Sequence, residues 1–218
     1  MTLPKLFHAL MDWVLRDFPG GLGQRLRYAY WRKRLGRCGR NVRIEEGVIF
    51  HNPANIEIGD NVWIFAHSVL TAPFSDPAAK RSGGKNEPPR KLLTIGDEVQ
   101  VGLFSILNGT GGLEIGNCVT LSARVTIYSA THLPRDPDNP GQRVGANGMV
   151  KSRPVFSREE PVVIGAGAWL GLGVNLICAS VGENAFVKAG ATVTRDVAPN
   201  CEVGADKRTR ARFAEPME

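Results

Sequence analysis

The chain has few of the residues that build metal centres or disulfide scaffolds. Its 218 residues include four cysteines and four histidines, and aromatic residues make up 7% of the sequence. The cysteines do not have the spacing of paired metal ligands, so we expect four reduced packing residues, Cys38, Cys118, Cys178 and Cys201. The histidines that follow the first helical segment, His51, His67 and His132, are too scattered along the repeats to bind one zinc ion together. The sequence therefore predicts no metal site.

Long hydrophobic runs are also missing. No stretch approaches the roughly 20 apolar residues that a membrane-spanning helix requires. The first residues, 1–18, contain Asp12, Arg16 and Asp17 and lack a small-residue cleavage site, so they do not resemble a signal peptide. With 43% hydrophobic and 22% charged residues, the chain is expected to form one cytoplasmic domain with an N-terminal extension.

What the sequence does have is a six-residue hydrophobic period. The hydrophobic positions fall into triplets with six-residue steps, and a small or β-branched residue usually follows four positions later. Neither an α-helix nor an ordinary strand has this period, which is typical of a parallel β-helix. The triplets are Cys38, Ile44, Phe50; Ile58, Ile64, Leu70; Ile95, Val101, Leu107; Ile115, Leu121, Ile127; Ile164, Leu170, Leu176; and Val181, Val187, Val193.

Each triplet predicts one triangular coil, in which each of three short sides points one large side chain inward. Successive coils then stack at roughly 4.8 Å, the spacing of paired strands. Corners between sides need residues that tolerate left-handed backbone. We expect such corners at Asp60-Asn61, Asn117, Gly167 and Asn184.

The period is interrupted only after the third member of a triplet, so every interruption leaves the same corner. The step from Leu70 to Ile95 has nineteen extra residues and the step from Ile127 to Ile164 has thirty-one, which predicts two extruded, structureless loops rich in Pro and Gly. Loops of this length are usually functional. The step from Leu176 to Val181 is one residue short, which indicates either a tightened corner or an error in the assigned register.

The N-terminal extension is strongly basic. Between Leu22 and Arg43 there are eight basic residues and no acidic one, in a chain of net charge +6. Hydrophobic residues at helical spacing on both sides of Pro19-Gly20-Gly21 predict two amphipathic helices. These helices either dock on an anionic membrane surface or cap the first coil, and the two alternatives are compatible. No nucleic-acid-binding module accompanies the basic residues. The predicted organisation is an extension at 1–37, a β-helix at 38–204 and a tail at 205–218.

The repeats from Cys38 to Gly204 resemble those of the hexapeptide-repeat acyltransferases. The most specific stretches are residues 163–171 (VIGAGAWLG) and 187–197 (VKAGATVTRDV). Within that family the chain is most similar to sugar O-acetyltransferases and to acetyltransferases of bacterial surface polysaccharide assembly. The resemblance implies an all-β, left-handed parallel β-helix of about six coils that assembles as a homotrimer.

The resemblance also implies transfer of an acetyl group from acetyl-CoA to a sugar or glycolipid hydroxyl, without a metal. Such an alcohol needs a general base, and His132 lies at the root of the longest loop, where the sugar transferases place their catalytic histidine. Asp136 or Asp138 could orient its imidazole. Transfer to the nitrogen of an amino sugar or nucleotide sugar remains an alternative, as does a non-catalytic β-helix that binds a ligand or scaffolds a complex.

Further site residues follow from the same resemblance. Small residues that match those along the pantetheine arm of coenzyme A are Gly171, Ala189 and Thr194, and candidates for its phosphates are Arg195, Lys207 and Arg208. After Gly204 the chain reads Ala205-Asp206-Lys207-Arg208 and so departs from the ending that is common in the family. For the acceptor we expect contacts from Asn108 and Asp136. Val101 stands where the sugar transferases have an asparagine, so the acceptor must be held differently.

Overall fold

The computed structural model describes residues 3–73, 92–145, 152–204 and 209–212. Most of these residues form short strands that stack into three parallel sheets, the faces of a triangular solenoid. The first face contains Arg37–Cys38, Ile56–Ile58, Leu93–Ile95, Leu113–Ile115 and Val162–Ile164, and single-residue bridges continue it at Val181 and Val197. The second face contains Arg43–Ile44, Trp63–Ile64, Gln100–Val101, Thr120–Leu121, Trp169–Leu170, Phe186–Val187, Cys201–Val203 and the antiparallel Thr209–Ala211. The third face contains Ile49–His51, Val69–Thr71, Ile106–Asn108, Thr126–Tyr128, Asn175–Ile177 and Thr192–Val193.

The strand register confirms every predicted triplet. Each triplet gives one residue to each face, and equivalent residues of successive triplets are aligned. Inward side chains such as Ile58, Ile64 and Leu70 are completely buried. One column of large aliphatic side chains per face therefore fills the solenoid and supplies its hydrophobic stabilisation.

The short step before Val181 is a tightened corner, and the assigned register was correct. Val181 pairs with Ile164 of the previous coil, as the repeat requires. The chain turns at Cys178, which is buried and has a φ of 46°. A seventh coil begins beyond the last predicted triplet, because Val197 and Val203 continue the columns of Val181 and Val187.

The corners between the first and second faces confirm three of the four predicted left-handed positions and correct the fourth. Asn61, Gly167 and Asn184 have φ values of 57°, 67° and 53°. In the fourth coil, however, Cys118 takes the left-handed conformation (φ 57°), so the prediction for Asn117 was wrong. The Asn117 side chain instead accepts a hydrogen bond from the Asp97 N–H at 2.9 Å.

Cys118 is consequently exposed and does not pack in the core, contrary to expectation.

The longest excursion has regular structure at its root. Ala130–His132 and Ser157–Glu159 pair as an antiparallel two-stranded ribbon, which corrects the expectation of a structureless loop. We call this pair the ribbon. Residues 74–91 of the other long excursion lie outside the described residues.

Two helices precede the first coil, as predicted: α1 (Leu3–Arg16) and α2 (Gly20–Trp31). Trp31 is buried against Phe50, with ring centroids 4.8 Å apart, and the Tyr28 hydroxyl donates to the Gly39 carbonyl at 3.0 Å. Helix α2 therefore caps the open end of the first coil. Within the described part of the chain, no helix has the length and apolar character needed to cross a bilayer.

Candidate functional site

The corner where the third face turns back into the first, which we call the third edge, collects several of the predicted site residues. The strand register aligns Thr71, Asn108 and Tyr128 in one column, with His51 at its start. Thr194 follows Val193 and occupies the corresponding place on the sixth coil. The ribbon leaves the solenoid from the same edge, and only Ser129 separates it from Tyr128. Asn108, His132 and Thr194 therefore lie on one side of the molecule.

His132 is the last residue of the first ribbon strand. It lies opposite Ser157, and its side chain is exposed. Among the described residues no hydrogen bond occupies its imidazole. The ring is thus accessible to a bound substrate while its backbone is held by strand pairing.

A buried serine fixes the root of the ribbon. Ser129 is 0% exposed; its Oγ donates to the Asn108 carbonyl at 3.0 Å and accepts from the Gly111 N–H at 2.8 Å. The Ser129 carbonyl accepts from the Glu160 N–H at 2.9 Å, which ties the end of the ribbon to its beginning. Sequence reasoning missed Ser129. The available signal was a small polar residue directly before the longest insertion.

Asp136, one of the two carboxylates predicted to orient the His132 imidazole, bonds to backbone N–H groups of its own loop. Asp136 is buried, and its Oδ1 accepts from the backbone N–H groups of Asp138 and Asn139 at 2.9 and 3.2 Å. Asp136 therefore stabilises a turn in the loop beyond the ribbon. Its contact with the acceptor stays a prediction.

A groove of about 360 Å³ lies at the C-terminal end of the solenoid. Its walls include Thr194 and Arg195, two of the residues predicted to hold coenzyme A. Asp196, which sequence reasoning missed, also lines the groove and accepts from the Ser180 N–H at 2.8 Å. Residues 192–193, Val197, Val203 and Thr209 complete the lining.

Gly171 and Ala189 lie elsewhere, at the corner between the second and third faces, which we call the second edge. The Gly171 N–H donates to the Val187 carbonyl at 2.8 Å, and a Cβ on Gly171 would lie 2.7 Å from the Ala189 nitrogen. Any side chain at position 171 would push the two neighbouring coils apart, so this position requires glycine. The structure thus divides the predicted cofactor residues between two edges, and Lys207 and Arg208 lie outside the described residues.

Comparisons with known proteins agree with this architecture. No family model matches the chain. A single-residue variant of AntD, an N-acyltransferase from Bacillus cereus solved with dTDP-4-amino-4,6-dideoxyglucose and coenzyme A, superposes with a TM-score of 0.67 at 16% identity, covering 93% of this chain and 92% of AntD. A maltose O-acetyltransferase from Clostridium difficile 630 superposes with a TM-score of 0.54 at 18% identity, covering 96% and 86% of the two chains. The chain has the hexapeptide-repeat fold. Its coils are therefore left-handed, against the usual hand of parallel crossover connections.

Sequence similarity to hexapeptide-repeat proteins extends over most of the chain. The bifunctional protein GlmU of Carboxydothermus hydrogenoformans is 26% identical over 209 residues, which covers 81% of this chain and 46% of GlmU. This hexapeptide-repeat chain thus spans less than half the length of the first curated relatives that it matches, 46% and 37% of two GlmU proteins.

Three thiols of this hexapeptide-repeat protein, those of Cys38, Cys118 and Cys178, lack the lowered pKa of an activated nucleophile. Burial raises the pKa of Cys38 to about 11, and burial also raises the pKa of Cys178. The pKa of Cys118 is raised because its Sγ donates to Glu98 at 3.4 Å, a contact that the thiolate would lose. Nucleophilic cysteines need a lowered pKa. In the described residues there is also no cluster of three or more His, Cys, Asp or Glu side chains arranged to bind a metal.

Proposed function

We propose that this protein transfers an acetyl or other short acyl group from coenzyme A to a sugar hydroxyl, with His132 as general base, in the assembly of surface polysaccharide or glycolipid. One observation carries the proposal: an exposed imidazole stands on a pinned ribbon at the edge that also leads to the groove of Thr194 and Arg195. A histidine can accept a proton near neutral pH, which a sugar hydroxyl must lose as it attacks.

In the proposed reaction, neutral His132 takes the hydroxyl proton while the oxygen attacks the thioester carbonyl. The tetrahedral intermediate carries an oxyanion, which backbone N–H donors stabilise. The carbonyl then re-forms, the C–S bond breaks, and the coenzyme A thiolate leaves and takes up a proton from His132 or water. The raised pKa values of Cys38, Cys118 and Cys178 favour this direct transfer over an acyl-cysteine intermediate.

The division of the predicted cofactor residues supports a shared site in a homotrimer. Thr194 and Arg195 lie on the third edge and Gly171 and Ala189 on the second, so one chain cannot bring them to a single pantetheine arm. The second edge also exposes Leu103, Phe104 and Leu172, apolar side chains suited to contact with another copy. In this proposal the second edge of one copy faces the third edge of its neighbour.

Transfer to an amine is the second candidate. It is favoured by the similarity to AntD, which was solved with a nucleotide-linked amino sugar. An acetyl-CoA assay that reads free thiol, run with hydroxyl sugars, lipid-linked sugars and nucleotide amino sugars, separates the two candidates by which acceptor stimulates turnover. We expect stimulation by a hydroxyl acceptor. Turnover confined to amino sugars would replace the first candidate with the second, and coenzyme A binding without turnover on any acceptor would support the non-catalytic alternative.

Arg195 provides a test of the donor groove. Arg195→Ala is expected to raise KM for acetyl-CoA about tenfold with a small change in kcat, because an exposed arginine bonded to phosphate contributes binding in ground and transition states alike. The matched control is Arg37→Ala, an exposed arginine on the first coil at the other end of the solenoid. Equal KM values for both variants would remove Arg195 from the donor site.

Ser129 is a positioning residue, and its variant should reveal this. Ser129→Ala is expected to lower kcat about tenfold while KM for both substrates stays near the wild-type value. The root of the ribbon loses two hydrogen bonds, one buried and one part-buried, worth about 1 kcal/mol each. Ser105→Ala is the control, since Ser105 is equally buried and its Oγ accepts from the Val125 N–H at the second edge. Chemical denaturation should show similar stability losses for both variants. A kcat that falls equally in both would leave Ser129 with a structural role alone.

A further inference from the structure

The two N-terminal helices expose an unusual amount of large apolar side chain. Trp13 is 66% exposed and Leu22 is 61% exposed. Six of the large hydrophobic residues exposed in the described part of the chain lie in this short segment, and we call them the N-terminal apolar surface: Leu10, Trp13, Val14, Phe18, Leu22 and Leu26. Exposed apolar groups concentrated in this way mark an interaction surface.

Helical spacing explains why these residues are exposed together. In α1, Leu10, Trp13 and Val14 follow the i, i+3, i+4 pattern of one helix face, while Leu15 is buried. In α2, Leu22 and Leu26 share a face, opposite to the face that buries Trp31. The helices therefore use one face to cap the solenoid and leave a second apolar face uncovered in this chain.

Basic side chains accompany the apolar surface. Arg25 lies between Leu22 and Leu26 on the exposed side of α2, and Arg32 and Lys33 follow directly after that helix, also exposed. The acidic side chains of α1 and its end are neutralised by ion pairs, Asp12 with Arg34 at 2.7 Å and Asp17 with Arg16 at 3.3 Å. The surface thus combines tryptophan and leucine with positive charge that forms no ion pair among the described residues.

We propose that the N-terminal apolar surface docks on an anionic lipid bilayer. Amphipathic helices with aromatic and aliphatic residues beside Arg and Lys lie in the interface of such membranes, where each basic residue adds attraction to acidic headgroups. A second copy fits less well, because a symmetric contact would bring the basic residues of both copies together. At 14 residues, α1 is roughly 21 Å long, which suits a helix lying in the interface.

Membrane docking through the N-terminal apolar surface can be tested separately from the catalytic proposal, because the two sites lie at opposite ends of the solenoid. Arg27 and Trp31 hold α2 on the first coil, whereas the groove lies at the opposite end of the solenoid. Membrane binding is therefore measurable without an acceptor or a donor.

Cosedimentation of the full chain with vesicles tests the proposal. We expect binding to vesicles of phosphatidylcholine with about 30 mol% phosphatidylglycerol, weakening with added salt, and little binding to pure phosphatidylcholine. The double variant Trp13→Glu, Leu22→Glu should bind the anionic vesicles at least about tenfold more weakly, because each substitution removes apolar burial and adds a repelled charge.

A matched pair of valines provides the control. Val14 and Val163 are both 43% exposed, but Val163 lies on the fifth coil, away from the helices. Val14→Glu should weaken vesicle binding and Val163→Glu should leave it unchanged. Failure of the wild-type chain to bind anionic vesicles at low salt, or equal binding by the two valine variants, would overturn the proposal. So would a concentration-dependent oligomer that the double variant dissociates, since the occupant would then be another copy of the chain.

Discussion

His132→Gln is expected to lower kcat for acyl transfer by about 10²- to 10⁴-fold, the usual contribution of a general base. The structure makes this variant informative because the imidazole is exposed on the ribbon and no described side chain holds it in the core. Glutamine keeps a polar side chain of similar reach but cannot accept the proton. Single-turnover and steady-state release of coenzyme A thiol would measure the loss, and thermal unfolding should be close to that of the wild type.

His51→Gln is the matched control for this experiment. His51 is also exposed and begins the column of the third edge, but it lies on the first coil, roughly 14 Å from the fourth at the spacing of paired strands. We expect its activity to stay within about threefold of wild type, as for a surface substitution away from the site. Full turnover in His132→Gln, or equal losses in the two variants, would show that His132 is not the base.

Arg27→Ala is expected to have the largest effect on stability, a loss of about 3–5 kcal/mol, as when a buried charged partner is removed. The guanidinium is 1% exposed and donates to three backbone carbonyls: Ile44 at 2.9 Å, Leu15 at 3.1 Å and Phe18 at 2.6 Å. It therefore joins α1, α2 and the first coil at one point. Alanine would remove this shared side-chain donor from all three carbonyls, and among the described residues the Leu15 carbonyl would keep only a 3.4 Å bond from the Phe18 N–H. Loss of a donor to buried carbonyls is costly.

Both the charge of Arg27 and the geometry of its hydrogen-bond donors matter at this site. Burial lowers the pKa of Arg27, and the nearby carboxylate of Glu46, 3.8 Å from Nη2, partly opposes that shift. Arg27→Lys should recover only part of the lost stability, since a single ammonium group cannot reproduce the fork of donors.

Urea unfolding followed by tryptophan fluorescence would measure these changes, with Trp31 reporting on the cap. The control is Arg25→Ala, two positions earlier and exposed, which should change the free energy of unfolding by less than about 0.5 kcal/mol. Similar midpoints for Arg25→Ala and Arg27→Ala would refute the proposed role of Arg27 as the joint of the cap.

The buried position of Arg27 also shows a limit of reading charge from sequence. Eight basic residues between Leu22 and Arg43 form one apparent cluster in the sequence. In the fold, Arg27 is completely buried, Arg34 is paired with Asp12, and Arg40 forms an ion pair with Asp60 at 2.7 Å. The charge available to an anionic surface is therefore smaller than the composition indicates.

The sequence by itself determined the coil, its register and the edge from which the loops leave. It could do so because a narrow triangular interior accepts one large side chain per side, so Ile58, Ile95 and Ile115 had to recur at a fixed position. It also placed His132 at the root of the longest insertion, since insertions can leave a stacked solenoid only at its corners.

Tertiary structure alone decided what depends on contacts between distant parts of the chain. The pairing of the ribbon, the bonds from Ser129 to Gly111 and Asn108, and the burial of Arg27 join residues that no local pattern connects. The same holds for the separation of Gly171 from Thr194 onto different edges. Neighbouring coils bring together residues 16 or more apart, while the corners of one coil point away from each other. Periodicity fixes which side chains turn inward, but the geometry of stacking decides which outward side chains meet.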